Sequence, residues 1–179
     1  MKAQRAATAN VLGALALAIA TQLNESGAAA GRSDSDLAAL SALDQFLNGT
    51  SVNRLRDVLG LTHSGTVRLL ERLAAAGLVT RGPGVNGRTR AVTLTLRGRR
   101  AARRAADERA GYLDTVLGDL SPHELAQLHS LLERLTNHLV QIKDGGPWIC
   151  RRCDLQACGR NEGRCPVATA AAHKYGAPA

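Results

Sequence analysis

The periodicity of this chain changes at one place, Gly77, and that change constrains its fold more than any other feature. Up to that point HSGTVRLLERLAAAG (residues 63–77) repeats its leucines at helical spacing and ends on glycine, the residue that most often closes a helix. Directly afterwards LVTRGP (78–83) alternates apolar and polar side chains. GVNG (84–87) is turn material, and RTRAVTLTL (88–96) alternates again with β-branched residues. The pattern predicts a two-stranded hairpin with a basic tip behind a helix. Upstream, VNRLRDVLG (52–60) reads as a short helix stopped by Gly60, and Thr62 caps the helix that follows. Two helices joined by a tight turn at Gly60-Leu61-Thr62 and followed by a hairpin make a winged helix-turn-helix.

The remainder reads as helix. Hydrophobic content is 45% with only 2% aromatics, so the core is built of Ala, Leu and Val, which favours helices. A first helix is expected over residues 9–25, with Val11, Leu12, Leu15, Ile19 and Leu23 at helical spacing. Ser33 or Ser35 caps a second helix, which runs to about Leu47 with Leu37, Leu40, Leu43 and Leu47 on one face. A long arginine-bearing helix starts at Arg97. Ser121-Pro122 opens a last amphipathic helix that reaches about Leu139. The predicted class is mainly α with a small β-hairpin wing. The expected organisation is a winged-helix and dimerisation domain at 1–143, a cysteine-rich loop at 144–167 and a flexible tail at 168–179.

The formal net charge is +8, and the excess is arginine rather than lysine. The guanidinium fork pairs bidentately with phosphate oxygens, so the balance suits an anionic polymer, although charge alone does not separate nucleic acid from an acidic membrane. No run reaches the eighteen or so apolar residues of a membrane span. Lys2 and Arg5 before VLGALALAIA (11–20) resemble a signal peptide, but the segment continues into polar Gln22-Leu23-Asn24-Glu25 as an amphipathic helix does.

In a winged helix-turn-helix the start of the second helix reaches base edges and phosphates in the major groove. Here that start offers Thr62, His63, Ser64, Thr66, Val67 and Arg68. The hydroxyls and free N–H groups suit phosphate, and Arg68 can reach a guanine edge. Arg88 and Arg90, beside the glycines of the hairpin tip, can enter a narrow minor groove.

LTHSGTVRLLERLAAAGLVTR (61–81) and NGRTRAVTLTLRGRR (86–100) resemble the MarR family of bacterial dimeric transcriptional regulators, and the resemblance runs from about residue 9 to 139. It implies a homodimer whose first and last helices form the dimerisation layer. It also implies a pseudo-palindromic double-stranded DNA operator, most often repressed, with release by a small-molecule effector or an oxidant. Ser64, Val67 and Arg68 match the family's contacting positions, and Arg88 matches its wing arginine. The chain departs from the pattern at Asn86, usually Asp, at Gly87, usually a wing arginine, and at Val67, often a hydroxyl residue. A regulator of this kind works in a reducing cytoplasm, which sets the signal-peptide reading aside.

All four cysteines fall within CRRCDLQACGRNEGRC (150–165). In a reducing compartment, Cys150, Cys153, Cys158 and Cys165, spaced C-x2-C-x4-C-x6-C, fit one four-sulfur metal site better than two disulfides. Zinc is slightly preferred. The irregular spacing and the Cys165-Pro166 ending also fit an iron–sulfur cluster, and a metal-free thiol switch is the third option. Arg151, Arg152, Arg160 and Arg164 would offset the charge of a tetrathiolate. His123, His129 and His138 read as surface residues, and His173 as a spare ligand. No phosphate-binding glycine loop and no nucleophile flanked by carboxylates suggests an enzyme. The competing class is a thiol–disulfide or electron-transfer protein that uses the winged helix as an interaction module.

Overall fold

Ser33 begins the helix around which the domain is assembled. Its hydroxyl accepts from the Asp36 N–H at 3.2 Å, and Asp36 Oδ2 accepts from the Ser33 N–H at 3.0 Å, a reciprocal capping box. The resulting helix, α2 (Asp34–Gln45), buries Leu37, Leu40 and Leu43, and Leu47 is buried just beyond its end, as their spacing predicts. Ala38, Ala39 and Ala42 are buried as well, so α2 is enclosed on more than one face. The computed structural model describes residues 1–83, 90–142 and 146–176.

Around α2 lie α3 (Val52–Leu59) and α4 (His63–Ala75), which contribute Leu55, Val58, Leu69, Leu70 and Leu73 to one apolar core. Gly60 at φ +66° and Gly77 at φ +68° close these helices in the left-handed region, where a side chain would be strained. The hairpin strands β2 (Val79–Pro83) and β3 (Arg90–Leu94) pair antiparallel, Val79 opposite Leu94 and Pro83 opposite Arg90. A third strand completes the sheet. Thr50–Ser51 (β1), which the sequence reads as a turn, pairs with Val92 and Ala91 to give the order β1-β3-β2.

The expected strand to residue 96 stops at Leu94, because Thr95 becomes the N-cap of α5 (Leu96–Leu117): its hydroxyl accepts from the Gly98 N–H at 2.9 Å. A Cβ on Gly98 would lie 2.0 Å from the Leu78 carbonyl oxygen, so only glycine lets α5 sit this close to the sheet.

The first helix, α1 (Lys2–Ala29), is longer than expected and is not amphipathic. Val11, Leu12, Leu15 and Leu17 are all exposed, and Leu17 lies off the expected stripe. By length and mean hydropathy (1.5 over its most apolar window) α1 could also cross a membrane, which corrects the expectation that no run does. The last long helix, α6 (Pro122–Ile142), extends past Leu139.

Beyond it, Gly146–Ile149 (α7) and turns at Cys150–Arg152 and Arg160–Glu162 lead into α8 (Pro166–Tyr175). The flexible-tail expectation for 168–179 is thereby corrected over residues 168–175. Val167 and Ala170 are buried against Val140, and Lys174 Nζ donates to the Val140 and Gln141 carbonyls at 2.9 Å each, capping the end of α6. An alanine-rich segment looks like a tail in sequence; packing makes it a helix.

Candidate nucleic-acid interface and cysteine cluster

Thr62 fixes the start of α4. Its Oγ1 accepts from the Gly65 N–H at 3.1 Å and lies 3.3 Å from Ser64 Oγ. His63, Ser64 and Arg68 are exposed and Val67 is half-buried, so these residues make the solvent face of the helix start. Thr66 does not belong to that face. It is fully buried, and its hydroxyl donates to the Thr62 carbonyl at 2.9 Å; it serves the turn and the core rather than a ligand. Arg88 lies outside the described residues. Arg90 opens β3 opposite Pro83, and its side chain also lies outside the description.

Two arginines that the sequence did not single out hold this face in place. Arg81 Nη2, from β2, donates to the Val67 carbonyl at 3.2 Å and ties wing to helix. Its Nε is buried with no hydrogen-bond partner among the described residues. Arg72 Nη2 pairs at 2.9 Å with Asp36 Oδ1, so the carboxylate that caps α2 also anchors α4. The signal for Arg81 was alternation: in β2 it faces the same side as Val79, toward the helix. For the Arg72–Asp36 pair, 36 residues apart, no sequence signal exists.

The four cysteines are free thiols drawn into one small cluster with Val140, Val167 and Ala170. Cys150 and Cys165 are buried, and Cys153 and Cys158 are half-buried. The thiols act on one another: Cys153 and Cys165 both influence Cys150, and Cys165 and Cys153 both influence Cys158. The Cys150 hydrogen bond pulls the Cys153 thiol down to about 7; burial opposes this, and the Arg109 and Arg160 guanidiniums reinforce it. The same hydrogen bond and burial push Cys150 well above the usual thiol range. Burial is also the main cause that raises Cys158. Sγ of Cys153 and Cys158 face the Ile149 and Leu155 carbonyls at 3.9 and 3.6 Å. Among the described residues no three His, Cys, Asp or Glu side chains are placed to hold one ion. His123, His129, His138 and His173 are exposed, and His129 pairs with Glu133 at 3.4 Å.

Between α1, α2 and α5 lies a cavity of about 390 Å³. Leu23, Leu37, Ala101 and Ala105 give it an apolar lining, and Arg32, Arg97, Arg100, Arg104, Arg109 and Arg152 a cationic one. Sequence reading placed Arg97, Arg100, Arg104 and Arg109 on one helix but Arg32 and Arg152 in separate loops, and did not foresee that they converge.

Residues 30–88 match the model of the MarR family. Comparison with curated protein sequences gives no match. Among solved structures, a MarR family protein from Bacillus stearothermophilus superposes with a TM-score of 0.68 at 22% identity, covering 80% of this chain and 99% of that one. MepR, a transcription regulator of a Staphylococcus aureus multidrug efflux pump, gives 0.65 at 17%, covering 73% and 97%; it has also been solved in complex with DNA. A Mycobacterium tuberculosis MarR family protein in complex with p-aminosalicylic acid gives 0.56 at 24%, covering 71% and 96%. The fold is the MarR-type winged helix. In that frame α4 is the second helix of the helix-turn-helix and β2–β3 form the wing.

Proposed function

We propose that the protein is a cytoplasmic homodimeric transcriptional regulator, a repressor by preference, that binds a pseudo-palindromic DNA operator through α4 and the wing. One observation carries this reading. The helix start presents Thr62, His63, Ser64 and Arg68 to solvent while Thr66, Leu69, Leu70 and Leu73 on its other side are wholly buried. A helix held that firmly from behind, with hydroxyls, N–H groups and one long cation in front, is built to lie against phosphates and base edges. The dimer is supported by exposed leucines. On α1 these are Leu12, Leu15 and Leu17, and on α6 Leu131, Leu132, Leu135 and Leu139; an apolar surface of this extent marks an interface in soluble proteins. A helix apolar all round needs neighbours on more than one side, which a second copy supplies. The test is fluorescence anisotropy with duplexes from upstream of the protein's own gene. Tight, salt-dependent binding over a scrambled duplex is expected, and equal affinity for both overturns sequence-specific regulation.

The cysteine loop is proposed to bind one metal per chain through Cys150, Cys153, Cys158 and Cys165, zinc ahead of an iron–sulfur cluster. Their gathering in one cluster, with the Arg109 and Arg160 guanidiniums close enough to act on Cys153, supports the reading. A bound metal would supply the cohesion that so few apolar side chains do not. Metal analysis of anaerobically purified protein decides: about one equivalent of zinc, or iron with visible absorption, is expected. Less than about a tenth of an equivalent leaves the thiol switch in its place.

The arginine-lined cavity is proposed as the effector site for a small acid. Its apolar lining and surplus of guanidiniums support that class, as does the aromatic acid bound by the M. tuberculosis neighbour.

A further inference from the structure

Arg152 stands between Cys150 and Cys153, yet its side chain leaves the cysteine loop. It is only 17% exposed, and Nη1 donates to Asp34 Oδ1 at 2.8 Å in the first turn of α2. From there it lines the effector cavity beside Leu37 and Arg109. Three residues on, the buried Leu155 donates its N–H to Gln45 Oε1 at 3.0 Å, at the far end of the same helix. The loop is therefore pinned to both ends of α2. Arg109 makes a second link, because it lines the cavity from α5 and also acts on Cys153.

The charge in the cavity defines the ligand. Arg104 is paired with Glu108 and Arg152 with Asp34. The guanidiniums of Arg32, Arg97, Arg100 and Arg109 have no ion-pair partner among the described residues. One carboxylate cannot offset four such groups, and a fully hydrated ion would leave the apolar lining uncovered. The matching ligand is a compact dianion with two acidic groups on an apolar body.

We propose that Arg152 makes the cysteine loop a wall of this cavity, so that a compact apolar dianion and the folded loop stabilise each other. The proposal rests on the reading of the cavity as an effector site. Coupling of this kind is reciprocal: whatever the loop adds to ligand affinity, the ligand returns to loop stability. A state of the loop that withdraws Arg152 would release the ligand, and a bound ligand would keep the cysteines shielded.

The experiment uses the full-length protein as purified, with benzene-1,2-dicarboxylate as the dianion and benzoate and sulfate as its monoanionic and non-apolar counterparts. Binding is measured by calorimetry, and loop opening by the rate at which neutral iodoacetamide alkylates the four thiols. Saturating dicarboxylate should slow alkylation about tenfold, with half the effect at the calorimetric Kd. Benzoate and sulfate should bind at least about tenfold more weakly. Arg152→Gln should abolish the protection, Asp34→Asn should weaken it by freeing the guanidinium, and Arg134→Gln on α6 should change nothing. Dicarboxylate that binds without slowing alkylation overturns the coupling and leaves the cavity reading intact. Sulfate binding as tightly as the dicarboxylate overturns the apolar ligand class. No heat from any of the three overturns the cavity reading and the coupling with it. Should Arg152→Gln not fold, Asp34→Asn decides alone, and full protection in that variant overturns the role of Arg152.

Discussion

The leucine core beneath α4 and the thiol cluster at the end of the chain become rigid by different means. The first joins Leu40 and Leu43 of α2, Leu55 of α3, Leu69 and Leu70 of α4 and Leu78 just before β2, with the Thr66 hydroxyl satisfied beside them. The second has Val140, Val167, Ala170 and two thiols at its centre. It is held on the rest of the molecule largely by polar ties: Arg152 to Asp34, Leu155 to Gln45, and Lys174 to the end of α6. Burial of apolar area stabilises in proportion to its extent, so the first region can stand alone and the second depends on its ties. The winged-helix half is permanent, and the half that carries the thiols is conditional.

The sharpest way to break this contrast is truncation in each core. Leu70→Ala should cost about 2–5 kcal/mol of stability in urea denaturation, whereas Val167→Ala should cost about 1.5 kcal/mol and spare the winged helix. Equal losses, or one shared transition, would mean that the two regions fold as a unit.

On the exposed face of α4, Arg68→Ala should leave stability unchanged and, under the proposed function, weaken operator binding by about 1–3 kcal/mol if the guanidinium contacts a base edge. A footprint identical to the parent's would remove Arg68 from the interface.

Asp36→Ala takes away both the capping box and the Arg72 anchor. A loss of about 1 kcal/mol is expected in thermal melts, mostly from the cap, because Arg72 is more than half exposed and its ion pair is screened. Arg72→Ala alone should then cost clearly less; if it costs as much, the anchor rather than the cap matters.

The smallest effect belongs to Lys174→Met, at about 0.5 kcal/mol, since a cation at a helix C-terminus contributes little where water competes. Faster amide exchange confined to α6 and α8 would place that effect in the conditional half, and a change in α4 would not fit.

Local chemistry explains how much of this was legible. The capping hydroxyls of Ser33, Ser51 and Thr62 and the glycines at 60 and 77 carry their instructions within four residues, so these helices and the hairpin could be placed from the sequence, whereas the Thr95 cap was read as strand. β1 could not, because two residues show no alternation and Thr50–Ser51 acquires its strand character only from Val92 and Ala91. Thr66 was misjudged as a contact because its hydroxyl type suggested one; on a helix its angular position sends it inward beside Leu69 and Leu70. α8 was missed because small residues give no apolar stripe. The arginine cavity was invisible for a further reason: it draws on α1, α2, α5 and the cysteine loop, and convergence across that much sequence is a property of the packed chain.

The contact at Gly98 has a mechanical consequence. With no room for a Cβ against Leu78, one end of α5 is clamped to the sheet, while its 22 residues carry the other end about 33 Å away toward α6. A rod held at one end converts angle into distance, and a tilt of one degree at the clamp displaces the far end by about 0.6 Å. α5 thus works as a lever with its fulcrum beside the wing. Of the cavity arginines it bears, Arg97, Arg100 and Arg104 lie in its first half and Arg109 just past the middle, so a ligand pulling on them has the shorter arm and the distant end the greater travel.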